Sequence, residues 1–275
     1  IADYTRALEL DPNYAPAYLN RGISKDALKD YKGAIADYTR AIELDPKDDW
    51  AYNNRGNSKL ELKDYEGAKA DFTRAIELDP KNEYAYRNRG LSKYFLKDYY
   101  GAISDYTRAI ELDPNNANAY SNRGIAKNRL KDYKGCIADS TRAIELDPNY
   151  ANAYVSRGWA KHLLKDYKGS ITDNTRGIEL DPNYADAYNN RGNSKSELKD
   201  YKGAISDYTR SIELDPKYEY AYRNRGVAKN ALKDYKGAIS DYTRAIELDP
   251  NYANAYKSRG NSKLELKDYE GAKAD

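Results

Sequence analysis

Proline and glycine recur along this chain at one fixed interval. Asp-Pro pairs place Pro12, Pro46, Pro80, Pro114, Pro148, Pro182, Pro216 and Pro250, each 34 residues after the last. Two glycine columns keep the same step, one running from Gly22 to Gly260 and the other from Gly33 to Gly271. No insertion or deletion disturbs the register. Residues 1–275 therefore read as a single array: a partial unit at 1–14, full units at 15–48, 49–82, 83–116, 117–150, 151–184, 185–218 and 219–252, and a partial unit at 253–275. Self-similarity at this period overrides a domain count taken from length, because each unit can bury its apolar face only against its neighbours.

Residues 15–48 illustrate the unit. Tyr31, Ala34, Ile35, Tyr38, Ala41 and Ile42 fall at the spacing of an amphipathic helix. Asp30 is placed to cap that helix, and Pro46 to stop it, since proline excludes the residue before it from the helical region. The first half, from about Ala15 to Leu28, is a shorter and more polar helix with Ala17, Tyr18, Gly22 and Leu28 expected on one face. The Lys29-Asp30 turn makes the pair a helical hairpin.

Only 42 of the 275 residues are Leu, Ile, Val or Phe, below the roughly 20% at which disorder becomes the default reading. Disorder also needs a high net charge, and 46 basic against 44 acidic residues leave only +2. The 30 tyrosines supply the missing apolar volume, provided that each buried hydroxyl finds a partner. The interleaved charge offers no basic stripe for nucleic acid. No apolar run approaches the roughly 18 residues of a membrane span, and no signal-peptide pattern opens the chain. One cysteine excludes an internal disulfide and a cysteine-based zinc site. With no methionine in the sequence, a piece of something longer or a processed product is expected.

The ordered set Tyr18, Gly22, Ala34, Tyr38, Ala41 and Pro46, repeated every 34 residues, resembles the tetratricopeptide repeat family over essentially the whole chain. The resemblance implies an all-α fold, an α-solenoid in which antiparallel helix hairpins stack into a right-handed superhelix whose concave face is lined by the first helices. It implies a non-enzymatic scaffold for protein–protein interaction, with a protein or peptide ligand in the concave groove. Cofactors, catalytic residues and metal ligands are not expected.

Two columns depart from the family. Arg21, Arg55, Arg89, Arg123, Arg157, Arg191, Arg225 and Arg259 stand where leucine is usual beside the glycine, and Lys25 and its equivalents where tyrosine is frequent. The arginines are expected to pair with the Asp37 column as a ladder of charge-assisted hydrogen bonds between stacked helices, against the alternative of solvated surface.

Residues common to every unit are explained by stacking, so specificity belongs to the columns that vary. These follow Leu19, Ile23 and Asp26, and include Arg87, Arg223, Tyr94, Trp159 and His162. A nearly constant column is Asn20, Asn54, Asn88, Asn122, Asn190 and Asn224, broken by Ser156 and Ser258. Matching asparagines in the family hold the backbone of an extended peptide, a role that suits an amide with both donor and acceptor. The alternative is that these amides bond their own scaffold. The family's lysine- and asparagine-based carboxylate clamp is not reproduced, although Arg87 with Asn88 and Arg223 with Asn224 are fragments of such a pattern. His162 lies near nothing that resembles a nucleophile, and Cys136 takes the place of a packed alanine. A second reading is structural: open terminal hairpins that stack head to tail build a filament or extracellular fibre. Nine tyrosines outside the repeated core, among them Tyr14, Tyr84, Tyr100, Tyr218, Tyr220 and Tyr252, are the rings left for outside contacts.

Overall fold

A computed structural model describes all 275 residues, and every regular element in it is an α-helix. Backbone contacts divide the chain into two compact units, Ile1–Asp132 and Tyr133–Asp275. The first contains α1 (Ala2–Leu10), α2 (Ala15–Ala27), α3 (Tyr31–Leu44), α4 (Asp49–Glu61), α5 (Tyr65–Leu78), α6 (Glu83–Phe95), α7 (Tyr99–Leu112) and α8 (Ala117–Arg129). The second contains α9 (Tyr133–Leu146), α10 (Ala151–Leu163), α11 (Tyr167–Leu180), α12 (Ala185–Glu197), α13 (Tyr201–Leu214), α14 (Glu219–Ala231), α15 (Tyr235–Leu248), α16 (Ala253–Glu265) and α17 (Tyr269–Lys273).

Each hairpin turns on three residues with double duty. Lys29 adopts a left-handed conformation, φ 61°, while Lys29 N–H donates to the Asp26 carbonyl and Asp30 N–H to the Lys25 carbonyl. These are the two bonds of a Schellman termination. Asp30 then caps the next helix, its side chain accepting from Gly33 N–H at 3.0 Å. A Cβ at Gly33 would lie 2.1 Å from that carboxylate, which explains the second glycine column. Leu28, expected on the buried face of the first helix, is instead its C-cap residue and is 71% exposed, because the helix has ended and the chain is turning away.

The first glycine column meets the ring of the second helix. A Cβ at Gly22 would sit 2.6 Å from Tyr38 Cε1, so its absence lets the two helices close over a fully buried tyrosine. Ala34, Ala41 and Ile42 complete that stripe, and Ala41 and Ile42 pack between hairpins with Ala51. Within each unit, neighbouring first helices touch directly, as α4 touches α6 and α12 touches α14, whereas no second helix touches another second helix. The first helices therefore form the inner row of each unit.

The arginine ladder is present and runs in both directions along the stack. Arg21 donates through Nε and Nη2 to the two Asp37 oxygens at 2.9 and 2.7 Å, and through Nη1 to Thr5 of the preceding hairpin at 3.2 Å. Lys25 Nζ lies 2.7 Å from Asp37, and the guanidinium covers the Tyr18 ring at 5.5 Å. The same set recurs around Arg55, Arg89, Arg157, Arg191, Arg225 and Arg259. Burial works to raise the Asp37 pKa, but the hydrogen bonds from Arg21 and Lys25 outweigh it and hold the carboxyl below its ordinary range. By contrast, the outer pairs such as Arg244–Glu247 have both side chains about half exposed.

Removing one ladder arginine leaves a buried carboxylate with only its lysine. Arg225→Leu is expected to destabilise by roughly 3 kcal/mol in urea unfolding, while Arg244→Leu stays within about 0.5 kcal/mol of the parent. Equal effects of the two substitutions would refute a structural role for the ladder.

Candidate functional site

The inner row of first helices positions the asparagine column, whose members divide into two groups. Three are engaged by the chain itself: Asn20 Nδ2 donates to the Pro16 carbonyl, Asn88 Nδ2 to Asn57 Oδ1, and Asn224 Nδ2 to Asn189 Oδ1 and Asn193 Oδ1. The side chains of Asn54, Asn122 and Asn190 make no hydrogen bond within the chain and are half-buried.

One of the variable columns does not line the surface as expected. Asn53, Val155 and Asn189, which follow Leu19 in that column, are buried. Two of them point between neighbouring helices of their unit: Asn189 Nδ2 donates to Tyr218 Oη at 3.3 Å, and Val155 fills the space beside Gly177, where a Cβ would come within 2.6 Å of it. Tyr94 and Trp159 are half-buried and partly used by the scaffold. Tyr94 packs on Tyr106 and Ala126, and its hydroxyl accepts from Arg129 Nε at 2.9 Å. Arg87 lies over the Tyr84 ring at 5.3 Å, and Arg223 donates from Nη1 to Asn224 Oδ1 at 3.1 Å.

Trp159 stacks on His162 with ring centres 5.1 Å apart, and Tyr167 tilts against the other side of the imidazole. This aromatic set stands over a break in the repeated core. Asn174 occupies the place held elsewhere by Tyr38 or Phe72, and Ser170 the place of a core alanine, both fully buried. Asn174 Nδ2 bonds the Ser170 carbonyl and lies 3.2 Å from its hydroxyl. Ser194 Oγ is 2.8 Å from Ser170 Oγ and 3.0 Å from His162 Nδ1. The histidine thus closes a polar chain that replaces a ring, which sequence spacing alone does not reveal. Cys136, at the other altered alanine place, is packed and fully buried.

The tyrosines outside the core also divide. Tyr14, Tyr84, Tyr100 and Tyr220 are more than half exposed. Tyr184 is not, its hydroxyl donating to Asn152 Oδ1 at 2.8 Å, and burial followed by the Asp186 charge pushes it up to about 12. Tyr218, Tyr220 and Tyr252 form an edge-to-face cluster.

Family models described as tetratricopeptide repeat match residues 50–82, 185–218 and 219–252, and in a further model 117–150; a model described as TPR repeat matches 27–62 and 93–131. No curated protein is matched by the sequence. Among solved structures, the APC/C hetero-tetramer Cut9-Hcn1 superposes with a TM-score of 0.78 at 18% identity, covering 95% of this chain and 51% of that one. This chain thus spans about half the length of that relative. A tetratricopeptide repeat protein from Parabacteroides merdae superposes with a TM-score of 0.72 at 17% identity, over 90% of this chain and 98% of the other. YrrB, described as a TPR protein with an unusual peptide-binding site, gives 0.53 at 24% identity over 67% and 95%. At these identities the likeness concerns the fold.

His162 is held below its ordinary pKa by burial, which outweighs the opposing charge of Glu197. A base with a depressed folded pKa takes its proton more readily when unfolded, so its contribution to stability is present above about 6.5 and is lost as pH falls. Stability of the parent relative to His162→Gln, from urea unfolding at about pH 7.5 and about pH 5.5, is expected to fall at the lower pH. A pH-independent difference would remove His162 from the buried chain.

Proposed function

Because the chain belongs to the tetratricopeptide repeat family, we propose that it is a non-enzymatic scaffold, an array of 34-residue repeats, in which the inner row of first helices of a unit binds an extended peptide of a partner protein. The single observation that carries this reading is the division within the asparagine column. Asn54, Asn122 and Asn190 present half-buried amides with no partner in the chain, and an amide that offers both donor and acceptor satisfies a peptide unit irrespective of its side chain. The outer face differs, since its charges are already matched, as in Arg40–Glu43 and Arg74–Glu77.

Peptide groups gain specificity from such a row only if the amides are held in place beforehand. Within a unit the ladder supplies this, as Arg55 fixes its first helix to its own second helix through Asp71 and to the preceding hairpin through Thr39. YrrB is a relative in fold whose description includes peptide binding.

Selection from a random-peptide display library tests the reading. Peptides enriched on the parent are expected to bind the triple variant Asn54→Ala, Asn122→Ala, Asn190→Ala at least about tenfold more weakly, the loss of one to two net hydrogen bonds, with an unchanged melting curve. A library that yields no binder, or binders indifferent to the three substitutions, refutes it.

A further inference from the structure

Three first helices of the first unit, α4, α6 and α8, are capped by Asp48, Asn82 and Asn116, each side chain accepting from the N–H three residues on. Tyr184, Tyr218 and Tyr252 hold the same place at α12, α14 and α16 and make no such bond, which forgoes about 1 kcal/mol per helix. Two of these tyrosines are bonded elsewhere, since the Tyr184 hydroxyl donates to Asn152 Oδ1 and the Tyr218 hydroxyl accepts from Asn189 Nδ2. The Tyr252 hydroxyl bonds nothing in the chain. Its ring instead meets that of Tyr220 edge to face, with the centres 5.5 Å apart, within the range of direct ring contact.

Tyr220 also differs from its counterpart four repeats earlier. There the guanidinium of Arg87 covers Tyr84 at 5.3 Å, and Asn116 takes the place of Tyr252. Arg223 turns to Asn224 Oδ1 instead, so no cation lies over the Tyr220 ring, which is 52% exposed. Its hydroxyl is unbonded as well. Tyr94 and Tyr99 touch too, but Arg129 lies over Tyr94 and donates to its hydroxyl, and a cation so placed opposes removal of an electron from the ring. Tyr218 reaches Tyr220 at 6.1 Å, but its hydroxyl is tied to Asn189. The most exposed tyrosines, Tyr84, Tyr100 and Tyr269, are in ring contact with no second tyrosine.

We propose that Tyr220 and Tyr252 are an oxidative coupling site, at which a one-electron oxidant, namely a peroxidase supplied with hydrogen peroxide, joins the α14 and α16 hairpins through a dityrosine bond. Each phenol gives one electron to the oxidant and its hydroxyl proton to water, leaving a phenoxyl radical whose unpaired electron spreads to the ring carbons beside the oxygen. The two radicals pair to form one Cε–Cε bond. The hydrogen on each coupled carbon then leaves as a proton while a proton from solvent returns to each oxygen, which restores both phenols. The pair has lost two electrons and two protons in all, and these reduce one hydrogen peroxide to two waters.

Coupling within the chain outruns coupling between chains, because the second ring is already in contact at an effective concentration far above that of dilute protein. The bond closes residues 220–252 into a loop and so restricts the unfolded chain. Since α14 and α16 are neighbours in the inner row of their unit, it also fixes their spacing covalently. The coupling does not depend on peptide binding.

Dilute protein treated with a peroxidase and limiting hydrogen peroxide, then digested with trypsin, tests the site. Cleavage after Lys217, Arg223, Arg244 and Lys257 leaves the two rings in peptides 218–223 and 245–257. A linked pair lighter than the sum of these peptides by two hydrogens is expected, with dityrosine fluorescence in the monomer band of a denaturing gel. The linkage is expected to vanish in Tyr220→Phe and in Tyr252→Phe and to persist in Tyr218→Phe and Tyr100→Phe. Neither of the first two hydroxyls bonds the chain, so the melting curves of those variants stay those of the parent. Dityrosine confined to chain dimers, a linked pair that survives either of the first two substitutions, coupling within 218–223 alone, or no dityrosine at all overturns the site.

Discussion

The bidentate pair between the arginine beside the glycine and the aspartate sixteen residues later governs how this polar chain packs. Arg21 reaches forward to Asp37 within its hairpin and backward to Thr5 of the hairpin before it. Each guanidinium therefore ties three helices, and the geometry repeats only if the register stays at 34 residues. A buried carboxylate costs several kcal/mol to desolvate, roughly what a good pair returns. The ladder's contribution is thus better described as selecting one stacking arrangement than as adding net stability. Slipping one hairpin by a residue leaves a cation and an anion unpaired in every repeat it touches, and few alternative packings survive that penalty.

Space in the interior is divided by a second rule, which pairs a missing side chain with a large one. Gly22, Gly90, Gly192 and Gly226 face the rings of Tyr38, Tyr106, Tyr208 and Tyr242, and Gly56 faces Phe72. This pairing explains how a chain with so few large aliphatic residues closes a core. The ring is replaced at Ser140 and at Asn174, and at Asn174 the volume and the polarity both need another solution. Gly158 then faces the amide of Asn174, Ser170 and Ser194 bond across the gap, and His162 and Trp159 pack beside it. The second unit thus carries a local exception that a repeat consensus would average away.

The fold was legible in the sequence because stacking imposes identical demands on every unit. The caps at Asp30 and its equivalents, the helix ends before each Asp-Pro, the paired glycines and the Arg–Asp ladder all follow from residues that recur in register. The candidate site was less legible for the same reason. Its residues vary, and their orientation depends on neighbours 29 to 35 positions away, such as Tyr218 for Asn189 or Arg129 for Tyr94. Periodicity placed Leu28 on the apolar face, but a Schellman turn ends the helix first and exposes it. It also grouped Asn53 and Asn189 with surface positions, although one residue past the core tyrosine the side chain points at the adjacent first helix. Nor does a column of identical asparagines show that half of its members are already occupied.

Two kinds of arginine on the same helices bring these threads together. The ladder arginine is constant and fully bonded, so evolution of a ligand surface has no freedom there without unlocking the stack. The arginine two residues earlier is free of that duty. On a 3.6-residue helix a step of two turns the side chain by about 200°, away from the second helix and toward the inner row. The rigid ladder thereby fixes the backbone from which Arg87 and Arg223 project. In a repeat protein, the positions suited to recognition are those that the stacking does not need, and here the internal hydrogen bonds of each helix identify them.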